Sequence, residues 1–97
     1  MPTLFVLSHA PYTDPAEGHK LAWARSGDTV LLIEDAVYGG GSHPTPLAAH
    51  LAEAAGRGVR CCVLSPDALA RGVQPALPTV NYDGFVDLLE GHERAVH

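Results

Sequence analysis

Cysteine is scarce in this chain of 97 residues: two stand side by side, Cys61 and Cys62, and no Cys-x-x-Cys pair occurs. Adjacent cysteines build no disulfide framework, so the fold has to rest on a hydrophobic core. Basic residues are few as well. Six Lys and Arg face eleven Asp and Glu, for a net charge of −5, and no Lys/Arg cluster occurs. Affinity for a phosphate backbone comes mainly from such clusters, so direct nucleic-acid binding is not expected. No apolar run approaches the roughly 18–20 residues that cross a bilayer. The opening Met1–Leu7 has neither a basic n-region nor a cleavage site, and the expectation is a cytoplasmic protein without membrane contact. Metal-ligand spacing is missing too. His9, His19, His43, His50, His92 and His97 form no His-x-x-x-His pair, so no metal is expected. Gly39–Gly41 lacks the lysine of a P-loop and does not follow Gly-x-Gly-x-x-Gly, so as a phosphate cradle it is weak and no cofactor is expected. Ser8, His9 and Asp35 draw a triad on paper, but no Gly-x-Ser-x-Gly elbow supports it.

Aliphatic residues, by contrast, are plentiful. The hydrophobic fraction is 46% and the mean hydropathy +0.06. A chain of this length is one domain, residues 1–97, burying roughly 60–65% of its unfolded surface. Part of its apolar surface is therefore expected to be covered by a partner. The organising stretch is Thr29-Val30-Leu31-Leu32-Ile33, which stops at Glu34-Asp35. Apolar side chains on both faces predict a central strand of a parallel sheet with helices on either side. Further strands are read at Thr3–Leu7, Val59–Leu64 and Thr79–Tyr82.

Between the strands lie helix starts. Asp14-Pro15-Ala16-Glu17, Thr45-Pro46 and Ser65-Pro66 each place a capping residue before proline. The first helix is read on through Trp23 and the second with Leu47, Leu51 and Ala54/Ala55 on its inner face. Gly39–Pro44 is read as a flexible loop, Asp83 as the cap of a last helix carrying Phe85, Val86, Leu88 and Leu89, and Gly91–His97 as a fraying tail. Strand and helix alternate throughout, which predicts an α/β three-layer sandwich with a small, mainly parallel sheet of four or five strands.

In such sheets functional groups collect beyond the carboxyl ends of the strands. That edge holds Glu34, Asp35 and Tyr38, although Asp35 reads equally well as a turn residue. Cys61 and Cys62 are the only candidate sulfur nucleophiles. Neighbours on a strand point to opposite faces, so they do not act as a dithiol, and core packing is the favoured reading. Tyr12, Glu34, Asp35, Val37, Tyr38 and Phe85 are the candidate interface residues beside this edge.

Four motifs in order carry a resemblance. Leu4–Tyr12 (LFVLSHAPY), Leu31–Tyr38 (LLIEDAVY), Leu64–Val73 (LSPDALARGV) and Val80–Leu88 (VNYDGFVDL) together resemble the TusB/DsrH family of the DsrE/DsrF/DsrH-like group. The resemblance covers most of the chain. It implies a small α/β subunit that assembles with TusC/DsrF-like and TusD/DsrE-like subunits as a dimer of heterotrimers. In such complexes persulfide sulfur passes to a TusE/DsrC-like acceptor, ending on a tRNA wobble uridine in the Tus version and serving sulfur oxidation in the Dsr version. The chain departs from the family pattern at Ala36, where a glycine is usual, and at Lys20, about where some members carry a cysteine. It also lacks the tryptophan common near the family's C-terminus. The leading expectation is a non-catalytic subunit, able to pair with a second copy when alone. The alternatives are a sulfurtransferase that uses Cys61 or Cys62 and a small-molecule binding module.

Overall fold

The structure, a computed structural model, describes residues 2–10, 16–42 and 45–96, with the backbone alone at 16–18. Five strands, β1 (Thr3–Leu7), β2 (Thr29–Leu32), β3 (Arg60–Leu64), β4 (Thr79–Val80) and β5 (Arg94–Val96), form one sheet in the order β4-β3-β2-β1-β5. All four pairings are parallel. β2 is central, with Val30 and Leu31 beside Phe5 and Val6 on one flank and beside Cys61 and Cys62 on the other. All four of its residues are buried, because both faces of the sheet are covered.

The helices are α1 (Ala16–Leu21), α2 (Pro46–Gly56), α3 (Ser65–Ala70) and α4 (Tyr82–Gly91), with a 3-10 helix at Glu34–Gly40. The chain steps outward from β1 to β4 and keeps the linking elements on one face. There Leu21, Val37, Leu47, Leu51, Ala54 and Ala68 meet Phe5, Leu7, Val30, Leu32, Cys61 and Val63. It then reverses direction, and α4 returns across the opposite face to place β5 beside β1. Keeping one crossover hand through a reversal requires this change of face. The second core is smaller: Leu4, Val6, Leu31, Cys62 and Leu64 beneath Leu88, with Phe85, Val80 and Ile33 at its margin.

The second helix starts as its sequence dictates. Thr45 Oγ1 accepts from the Ala48 N–H at 3.1 Å, with Pro46 at the first turn. Three expectations are corrected. Asn81, not Asp83, caps α4, its Oδ1 accepting from the Gly84 N–H at 2.8 Å. Ser65 opens α3 from within the helix, and no side chain caps it. The tail does not fray over its described residues: Arg94–Val96 pairs with Thr3–Phe5, and His92 anchors its approach. The His92 Nδ1 donates to the Leu88 carbonyl at 2.7 Å, since a carbonyl only accepts, and Nε2 meets Thr29 Oγ1 at 2.9 Å. The Asp14-Pro15 start lies outside the described residues, and α1 ends at Leu21, so Trp23 sits in the turn beyond it.

Candidate functional site

The carboxyl end of β2 is shaped by a backbone break. Glu34 adopts φ 49, a left-handed conformation that a residue with a Cβ enters at a cost of ~1–2 kcal/mol. Its N–H is turned toward α3, where Asp67 Oδ2 accepts it at 2.6 Å. The strand therefore stops at the carboxylates, and the chain coils at once into the 3-10 helix. Arg71, just past α3, closes the arrangement. Its Nε donates to Asp35 Oδ1 at 2.9 Å and its Nη1 to the Asp67 carbonyl at 3.4 Å. The hydrogen bond to Asp35, helped by both neighbouring carboxylates, raises the Arg71 pKa further from an already high value. The guanidinium is thus a permanent cation that clips α3 to the 3-10 helix. Asp35 is bound to it rather than oriented toward a histidine, so the paper triad gains no support.

Beside this clip Tyr38, Ser42, Arg71, Val73 and Gln74 line a pocket of about 170 Å³. It offers hydroxyls, a carboxamide and a guanidinium, but no thiol. Glu34, Asp35 and Tyr38 are exposed at this edge. Val37 is not. It is wholly buried in the larger core, because the 3-10 helix turns it inward, and it is corrected from interface to core. Tyr12 lies outside the described residues. Phe85 is half-buried against the smaller core.

The glycine run is corrected in kind. Gly39 and Gly40 are buried in the 3-10 helix, not looped out. A Cβ at Gly40 would lie 2.5 Å from Val63 Cγ2 and 3.0 Å from Leu32 Cδ1, and one at Gly39 would lie 2.6 Å from Leu47 Cδ2. These glycines let the 3-10 helix press onto the sheet and α2; the run packs rather than cradles an anion.

The two thiols face opposite cores. Cys61 Sγ points to the Leu51 carbonyl at 3.8 Å in the larger core, and Cys62 Sγ to the Val30 carbonyl at 3.5 Å in the smaller. Burial raises both pKa values, for Cys62 to about 11 against an ordinary 9.0, with Arg60 offsetting only a little. At neutral pH about one Cys62 in ten thousand is then a thiolate, and the nucleophile is the thiolate. Among the described residues no group of three His, Cys, Asp or Glu gathers as a metal site, and no helix is long and apolar enough to cross a membrane.

One feature of the surface escaped the sequence reading. Tyr82, Val86 and Leu89 are 59%, 50% and 44% exposed on the outer side of α4, at i, i+4 and i+7. The same helix turns Phe85 and Leu88 inward, so apolar residues on both sides hid the outer stripe from a one-face pattern.

Two solved structures share the architecture. The Thermotoga maritima protein Tm0979, solved by NMR in solution, is 26% identical over 94% of each chain, with a TM-score of 0.67. The ychN protein from E. coli, a crystal structure, is 13% identical over 99% of this chain and 97% of its own, with a TM-score of 0.83, a likeness of fold alone. No curated protein matches the sequence. The model of the "DsrH like protein" family matches residues 9–95, nearly the whole described fold, and the chain belongs to the DsrH-like family.

Proposed function

We propose that this chain is a non-catalytic subunit of a cytoplasmic sulfur-relay complex. In this reading, persulfide sulfur is carried on cysteines of TusC/DsrF-like or TusD/DsrE-like partners and handed to a TusE/DsrC-like acceptor. Its leading use is 2-thiolation of the tRNA wobble uridine; dissimilatory sulfur oxidation is the Dsr-type alternative. Family membership supports the relay. The observation that carries the non-catalytic part is the burial of both cysteines, in separate cores and with raised pKa values. A persulfide carrier has to meet its donor and its acceptor, and neither sulfur is placed to do so.

The surface supports docking instead. Glu34, Asp35 and Tyr38 stand exposed at the carboxyl edge, and α4 adds Tyr82, Val86 and Leu89 beside Phe85. Exposed tyrosines next to aliphatic side chains are the composition of interface anchors. Co-expression with TusC- and TusD-like subunits, followed by sizing, tests the reading. Co-elution of all three is the expected result. Three folded proteins that elute apart would refute the assignment.

A further inference from the structure

At the other end of the sheet, charge is distributed against the trend of the chain. Parallel pairing sets Thr3 beside Arg94 and Phe5 beside Val96. Alternation along each strand puts these four side chains on the face that carries α1. α1 packs over β1 and against α2, and β5 lies one strand farther out. A groove is left where the helical layer stops short of the sheet edge. Thr3, Phe5, Arg94 and Val96 form its floor, and Lys20, Trp23 and Arg25 form its wall, around about 480 Å³. That volume lies in the range of small-molecule sites.

Three of the six basic residues of this acidic chain line the groove. Arg25 and Arg94 are exposed, and among the described residues neither guanidinium has a hydrogen bond or an ion pair. Among the described residues, the carboxylate that lines the groove is already committed. Asp28 is buried, its Oδ1 accepting from the Thr3 N–H and its Oδ2 from the Arg25 N–H, each at 2.9 Å. Trp23, the only tryptophan, is 78% exposed on the wall. A large exposed ring beside unpaired guanidiniums combines the two recognition elements of an amphipathic anion: a planar apolar surface and charged bidentate donors.

We infer that this groove binds a small organic anion, a phosphate or carboxylate carried on an aromatic body. Arg25 and Arg94 take the charge, and the aromatic body lies against Trp23 above Phe5 and Val96. The site is at the opposite end of the sheet from the docking edge and does not depend on the sulfur-relay reading.

Trp23 supplies its own readout. Titration with adenosine 5′-monophosphate or phenyl phosphate should change its fluorescence saturably at roughly millimolar concentration or below. Binding of both should weaken with added salt. Adenosine and inorganic phosphate, each lacking one half of the recognised group, should bind at least about tenfold more weakly, as expected when one interaction worth ~1.4 kcal/mol is lost. The double variant Arg25→Gln/Arg94→Gln keeps the backbone bond to Asp28 and replaces side chains without partners. It should retain its circular dichroism and lose at least about tenfold in affinity. Response to the phosphate ester alone would mark the site as phosphate-specific; benzoate as the carboxylate arm separates that case. No saturable change with any of the three organic anions, equal binding by adenosine, or unchanged affinity in the folded double variant would overturn the inference.

Discussion

The two faces of the sheet are covered unequally. On one, α1, the 3-10 helix, α2 and α3 build a core that takes in fifteen buried residues among those described. On the other, α4 sets its own Leu88 over five buried residues of the sheet among those described, and its outer side presents Tyr82, Val86 and Leu89 to solvent. The first face is closed within the chain except at the groove beside β5. The second is left open, and the proposed function would have a partner cover what α4 leaves exposed. The cysteines follow the division, one in each core, and neither reaches the surface that a relay partner would touch.

The comparison is tested hardest on β2, whose neighbours Leu31 and Leu32 point to opposite faces. Each replacement by Ala should cost ~2–5 kcal/mol in urea denaturation. Leu32→Ala should cost more, because four packed elements close over its cavity less readily than a single helix settles over that of Leu31. Equal losses, or a larger loss at Leu31, would break the distinction. Next in size is Gly40→Ala, which forces a methyl group against Val63 and Leu32 and should cost ~1–3 kcal/mol by the same assay. Tolerance of alanine there would return the glycine run to the flexible role first assigned to it.

That misassignment shows where sequence legibility ends. The central strand, the Thr45-Pro46 helix start and the opposed cysteines were readable because each rests on local pattern: two apolar faces, a cap, alternation. Gly39–Gly41 misled because composition alone does not separate a glycine that bends from one that permits close approach. β5 was missed because Arg94-Ala95-Val96 carries no strand signal of its own and is held by β1 and by His92. Asn81 and Asp83 are both good caps, and only the position of β4 decides between them. Of the candidate interface residues, Glu34, Asp35 and Tyr38 were named from the strand end and are exposed there. Their clip, Arg71, was not named, since nothing local ties it to a residue 36 positions earlier.

The outer side of α4 is sharpened by a variant that spares the fold. Tyr82→Ala should change monomer stability by no more than ~0.5 kcal/mol while weakening assembly with TusC- and TusD-like subunits by ~2 kcal/mol or more. Tyr38→Ala makes the same test at the carboxyl edge. A folding defect in either would place that ring in the core. The smallest effect is in pH. The pKa of Cys62 is raised in the folded state from 9.0 to about 11, so the unfolded chain gives up this proton first. Its contribution to stability is complete below about pH 9 and declines between pH 9 and 11. Replacing Cys62 with Ala should flatten the fall in stability across that window. An unchanged slope would show that the thiol is not desolvated.

The central claim is that sulfur does not travel on this chain, and thiol alkylation of the native protein tests it most directly. Iodoacetamide at neutral pH should leave Cys61 and Cys62 unmodified in the folded state and label both once denaturant unfolds the chain, as read by intact mass. Rapid addition of one label to the folded protein would contradict the account and make the labelled cysteine a persulfide carrier.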